Sequence, residues 1–196
     1  LKITPVQFPW KNFPWQEAIF HFTRLMGSLH IEKLQPANEE LNILKRIQDT
    51  LLSQKDNYKA GQVAIQIKTA EAWMFLKKGK HQEALELMHL AADMEDRTEK
   101  HPVTPGEVIP AREWLGDMLL QMNKPDKALE AYERVLQRAP NRFNTLYGAG
   151  LAAEASDDLQ KARWYFQQLI DVIGNTKSNR TEVNRSRMFI QAQSTP

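Results

Sequence analysis

Three features of the sequence predict an all-α fold of antiparallel helical hairpins. Apolar residues recur at helical spacing in one segment after another. Small and aromatic residues return at a distance of 34, pairing Gly116 with Gly150, Ala128 with Ala162 and Tyr132 with Phe166. Prolines fall where such helices would begin, at Pro14, Pro36, Pro110 and Pro125, or end, at Pro140. A helix that is apolar on one side cannot bury that side alone, so a repeated pair implies stacked pairs.

In chain order, the patterns predict helices over about 14–32, 36–53, 57–78, 81–96, 109–122, 125–138, 142–155 and 157–173. The first two form a diverged hairpin in which Phe22, Leu25, Met26 and Leu29 face Leu41, Leu44, Ile47 and Leu51. Ahead of it, "FPWKNFPWQ" carries Phe8-Pro9-Trp10 and Phe13-Pro14-Trp15, aromatic units too large to leave in water, expected to cap the first hairpin or to dock on a preceding domain. The chain opens "LKITPVQFPW" without an initiator Met, and is expected to be a fragment or processed chain. Asn141 and Ser156 are the expected N-caps of the seventh and eighth helices, with Asp157 and Asp158 suiting the positive end of the latter. Val183, Met188, Phe189 and Ile190 predict a ninth, capping helix that covers the last exposed apolar face. The expected divisions are an extended segment over 1–13, the diverged hairpin over 14–56, three repeats over 57–174 with a proline-rich insertion at 97–109, and a tail or cap over 175–196.

The clearest repeat reads Leu115-Gly116, Leu119, Ala128-x3-Tyr132 and Pro140. Gly116 and Ala128 are small where two helices must approach, while Leu115, Leu119 and Tyr132 supply volume. The next copy has Leu146, Ala149-Gly150, Ala153 and Ala162-x3-Phe166, ending at Gly174. An upstream copy has Ala72, Phe75, Gly79 and Ala84-x3-Met88, offset by 44 because the stretch "KHPVTPGEVIP" intervenes. On these residues the sequence resembles the tetratricopeptide repeat family from about Ala64 to Gly174, departing from its pattern at Arg112 and Lys68 where a large aromatic is usual. It also looks like a group of bacterial repeat proteins of no established activity. The resemblance implies four helix pairs in a right-handed solenoid, plus the capping helix.

Composition narrows the function. The 26 basic and 24 acidic residues nearly cancel, so no field directs the chain to nucleic acid or an anionic membrane. With no cysteine there is no disulfide, thiol catalysis or cysteine-held metal cluster. No apolar run reaches the roughly 20 residues that span a bilayer. "HQEAL" lacks the second histidine of a zinc protease, and "GAG" at Gly148–Gly150 sits inside a predicted helix, where it cannot serve a dinucleotide. No cofactor is expected, and no enzyme. The five tryptophans, Trp10, Trp15, Trp73, Trp114 and Trp164, are expected in packing positions.

A solenoid of helix pairs lines its concave side with the first helix of each pair, a surface suited to holding a peptide or protein. The helical spacing places Glu113, Asp117, Leu120 and Gln121 on one such face, with Tyr147, Leu151 and Glu154 in the following repeat and Thr69, Trp73, Leu76 and Lys77 in the preceding one. Family members that grip acidic chaperone tails use basic groove residues, whereas Glu113, Asp117 and Glu154 would repel a carboxylate, so the resemblance implies a basic or apolar partner. Thr104-Pro105-Gly106 reads as a stiffened turn that bridges two repeats or presents His101 to a partner. Two further readings are a metal-binding or regulatory domain of His89, Asp93, Glu95 and His101, and a structural segment of a longer solenoid.

Overall fold

In a computed structural model the described residues are 8–99 and 109–193, and among them every regular element is helical. After a 3₁₀ turn at Trp10–Asn12 come α1 (Pro14–His30), α2 (Leu34–Ser53), α3 (Asn57–Lys77), α4 (His81–Asp96), α5 (Ala111–Gln121), α6 (Pro125–Arg138), α7 (Phe143–Ala155), α8 (Leu159–Ile173) and α9 (Thr181–Ala192). The hairpin expectation holds, with most helix ends within two residues of the predicted ones. The helices fall into two compact units, α1–α4 and α5–α9, divided between Glu107 and Val108. The proline turn and His101 lie outside the described residues.

In the first unit α1 packs on α2, α2 on α3 and α3 on α4, and α1 also reaches α3. Leu25, Leu29, Leu44, Leu51, Val63 and Met88 are its largest fully buried side chains. Most of the predicted α1–α2 seam is therefore buried. α3 is embedded among three other helices and accordingly has apolar residues around its whole circumference, from Val63 and Ile65 through Ala70 and Ala72 to Met74. A carboxylate also lies in the α1–α2 seam. Glu40, 6% exposed, accepts from His21 Nδ1 and, at 2.5 Å, from Arg24 Nε. The aromatic leader rests on α1 through Trp10, stacked 5.4 Å from Phe20, and Phe8 leans on both Trp10 and Phe13.

One device makes five of the turns. Glu32, Lys55, Gly79, Asn123 and Asp157 each adopt a positive φ between 55° and 73° directly after a helix. At each turn two amides fold back onto the last helical turn: Gly79 N–H donates to Leu76 O and Lys80 N–H to Phe75 O, and Asn123 with Lys124 and Asp157 with Asp158 repeat the pattern. A left-handed residue reverses the chain within two or three positions, and glycine, asparagine and aspartate tolerate it best. The next helix then begins on a carboxylate where one is available. Asp56 accepts from Lys59 N–H, and Asp158 from Lys161 N–H at 3.0 Å. This corrects the expected caps. Ser156 closes α7 by donating to Ala152 O, leaving Asp158 to cap α8, and α7 starts from Arg142 without a side-chain cap.

In the second unit α5 pairs with α6, α7 with α8, α6 packs on α7, and α9 closes the α8 side. Val183 and Ser186 of α9 are fully buried, and Phe189 lies 5.1 Å from Phe166. Met188 departs from the expectation for a capping face: it projects away and is 69% exposed. Trp164 departs similarly, 55% exposed and edge-on to Tyr165.

Candidate functional site

The second unit is organised around two aromatic rings in slots made by glycine. A Cβ at Gly116 would stand 2.6 Å from the Tyr132 ring, and one at Gly148 would stand 2.5 Å from it. The ring therefore lies against α5 of its own hairpin and α7 of the next. Phe166 repeats the arrangement one period later, where a Cβ at Gly150 would come within 2.5 Å. Real Cβ atoms essentially never approach another heavy atom within 3 Å, so even alanine at these positions requires the ring or the backbone to move.

Polar groups tie the same helices together. The Tyr132 hydroxyl donates to Asp117 Oδ1 at 2.6 Å. Burial, against the pull of that hydrogen bond and aided by nearby Glu113, pushes the Asp117 carboxyl up to about 6. The same burial, with Asp117 close by, raises the Tyr132 phenol far above its ordinary value. Glu113, 2% exposed, accepts from Arg142 Nε at 2.6 Å and from the Thr145 hydroxyl, which binds α5 to the start of α7. On the outer side Tyr165 donates to Glu133 at 2.7 Å and Lys161 pairs with the same carboxylate.

The residues singled out from sequence have different surroundings. In the first unit Thr69 and Trp73 are buried, while Lys77 is partly exposed and pairs with Glu32 at 3.6 Å. In the second unit Glu113 is buried and Asp117 is engaged with Tyr132, whereas Gln121 is exposed. Tyr147 and Leu151 are half-exposed one helical turn apart on α7, and Glu154 stands at the end of that row. Glu154 pairs with Arg185 of α9 at 2.8 Å. Between α7 and α9 lies a cleft of about 370 Å³ lined by Glu154, Thr181, Asn184, Arg185, Met188 and Phe189. Of this set only Glu154 was expected from sequence to face a partner, Met188 and Phe189 having been assigned to the covered face of the capping helix. The missed signal is the spacing of helix starts: α9 begins at 181 and α7 at 143, so Arg185 occupies the position of Tyr147 and Phe189 that of Leu151. Among the described residues no three His, Asp or Glu side chains are gathered to hold a metal ion, and no helix is long and apolar enough to cross a membrane.

Hairpins joined by tight turns, with glycine slots for interlocking rings and a row of half-exposed side chains on the first helices, define a helical-repeat scaffold of the kind that mediates protein interactions. Residues 115–176 match the tetratricopeptide repeat family, so that stretch carries repeats of this type. Among solved structures it is similar to MamA in a point-mutant form, with TM-score 0.53 and 15% identity over 90% of this chain and 82% of that one. It is likewise similar to MamA AMB-1, with TM-score 0.52 and 15% identity over 90% and 88%. These likenesses concern the fold. No curated protein matches the sequence.

Proposed function

We propose that the chain is a binding and assembly module, not an enzyme, and that its second unit holds a segment of a partner protein on the face presented by the first helices of its hairpins, the concave face of the repeat. The observation that carries this reading is the cleft between α7 and α9, which continues the half-exposed row of Tyr147, Leu151 and Glu154. Apolar surface left partly in water beside a cleft is stabilised when a partner covers it, at roughly 25 cal/mol per Å². Gln121 and the engaged Asp117 extend the same face along α5. In the first unit, taken by itself, the matching positions on α3 are the partly exposed Lys77 and the buried Thr69 and Trp73. Glu113 supports the face from within through Arg142 and Thr145.

Of the two partner chemistries the sequence suggested, an apolar segment has the better support here. Glu113 and Glu154 already hold arginines, which removes much of the attraction for a basic segment. The test replaces Tyr147 by Ala and Leu151 by Asp together, after circular dichroism has established that the variant is folded. Partners cross-linked to the unaltered chain in a lysate of its source cells should be lost from the variant. Retention of the same partners would remove this face from the binding site.

A further inference from the structure

We infer that the cleft between α7 and α9 receives a partner segment carrying one large apolar side chain with a carboxylate beside it, the side chain lying over Met188 and Phe189 and the carboxylate meeting Arg185. This rests on the binding reading above and specifies the chemistry of what is bound.

Three observations point to it. Met188 is 69% exposed on the cleft wall, with Phe189 behind it. A methionine is unbranched and polarisable and moulds itself to whichever apolar group arrives, so an exposed one beside an aromatic makes an adaptable seat. Arg185 comes next. Its guanidinium carries five N–H donors, of which one of the two on Nη2 goes to Glu154 at 2.8 Å, and no other acceptor meets it among the described residues. The group also lies 5.9 Å from the centre of the Phe166 ring, which holds it on the cleft side. A partly occupied, oriented guanidinium suits a carboxylate.

The third observation is charge. From 175 to 193 the chain carries Lys177, Arg180, Arg185 and Arg187 against Glu182, and Arg180 already holds Glu182 at 3.1 Å. Within the cleft itself Glu154 and Arg185 offset each other, so what favours a carboxylate is the set of Arg185 donors left unused, while a cation would find only a carboxylate already held. This reverses the preference that Glu113, Asp117 and Glu154 suggested when counted from sequence. A basic residue entering here would have to separate Glu154 from Arg185 and leave the guanidinium facing it.

The experiment uses the full chain and three short fluorescent peptides on a glycine–serine background: one with leucine beside glutamate, one with lysine replacing the glutamate, and one with alanine replacing the leucine. Binding is read by anisotropy, and contact by the NMR shift of the Met188 methyl group, assigned with Met188→Leu. The leucine–glutamate peptide should bind best, move the Met188 methyl, and weaken with added salt. Arg185→Gln should weaken it about tenfold and Glu154→Gln should tighten it severalfold, because the first removes the donor and the second releases it. Opposite effects of two neighbouring neutralisations are not produced by loss of folding. Equal or tighter binding of the lysine peptide, a Met188 methyl that does not move, or no binding of the leucine–glutamate peptide would each overturn the inference. The broader reading fails separately, if the Tyr147 and Leu151 double variant keeps its partners.

Discussion

The slots of Tyr132 and Phe166 are the same structure solved twice, once with a polar ring and once with an apolar one. They share the glycine that admits the ring, Gly116 in one and Gly150 in the other, and a small residue one turn before the ring, Ala128 or Ala162. They differ at the residue immediately after the glycine. Asp117 accepts the Tyr132 hydroxyl, while at the matching position of the other copy stands Leu151, in a repeat whose ring has no hydroxyl to satisfy. A buried hydroxyl requires a partner, and a buried carboxylate requires a donor, so the two residues change together. The difference also separates two uses of one position: Asp117 is tied down inside the repeat, and Leu151 is available on its face.

The largest expected effect comes from closing a slot. Gly116→Ala and Gly150→Ala should each destabilise the protein by about 1–3 kcal/mol, read as a lower urea midpoint, because the new methyl would overlap a ring at 2.6 Å in the first slot and 2.5 Å in the second. Loss in one slot but not the other would break the equivalence of the copies.

A second expectation separates the copies by pH. The Asp117 carboxyl is raised from 3.8 to about 6 in the folded protein, so the folded state holds its proton more tightly than the unfolded chain. Its contribution is complete below about pH 4 and is lost as pH rises through 6, on the order of 2 kcal/mol after allowance for partial exposure to solvent. Urea unfolding at pH 4.5 and 7 should reveal that slope, and Asp117→Asn should flatten it. An unchanged slope in the variant would assign the effect to other groups.

The smallest expectation concerns the hydroxyl itself. Tyr132→Phe should cost about 1 kcal/mol by leaving Asp117 without its donor, and Asp117→Leu added to it should recover part of the loss by converting the first slot to the chemistry of the second. Strict additivity of the two changes would mean that the pair is not coupled.

Most of the fold could be read from the sequence because its determinants are local. The 34-residue return of Gly, Ala and an aromatic, with prolines at helix starts, specifies hairpins before any contact is known, and an apolar face that needed covering implied the capping helix. The site was less legible. Helical spacing puts Glu113 on a face but cannot tell that Arg142 and Thr145 will enclose it, since those partners come from another helix 29 and 32 residues on. Counting carboxylates therefore overestimated the negative charge offered to a partner. Arg185 was missed because α9 starts 38 residues after α7 rather than 34 and so escapes the repeat period. Met188 was assigned to the covered face by hydrophobicity alone, although it is exposed where Val183 is fully buried. The Ser156 cap was misplaced by two residues because a left-handed Asp157 intervenes, a geometry that many sequences adopt.

The grip on Tyr132 bears on how such a chain can be lengthened or shortened. Its ring is embraced by Gly116 of its own hairpin and by Gly148 of the next, so a cut at the loop between hairpins divides a matched lock and key. Duplicating or grafting α5–α6 as a cassette would carry the ring away from half of its seat. A cassette running from Gly116 through Gly148 would keep the ring with both glycines that receive it, and it is in that frame that repeats of this chain should be exchangeable.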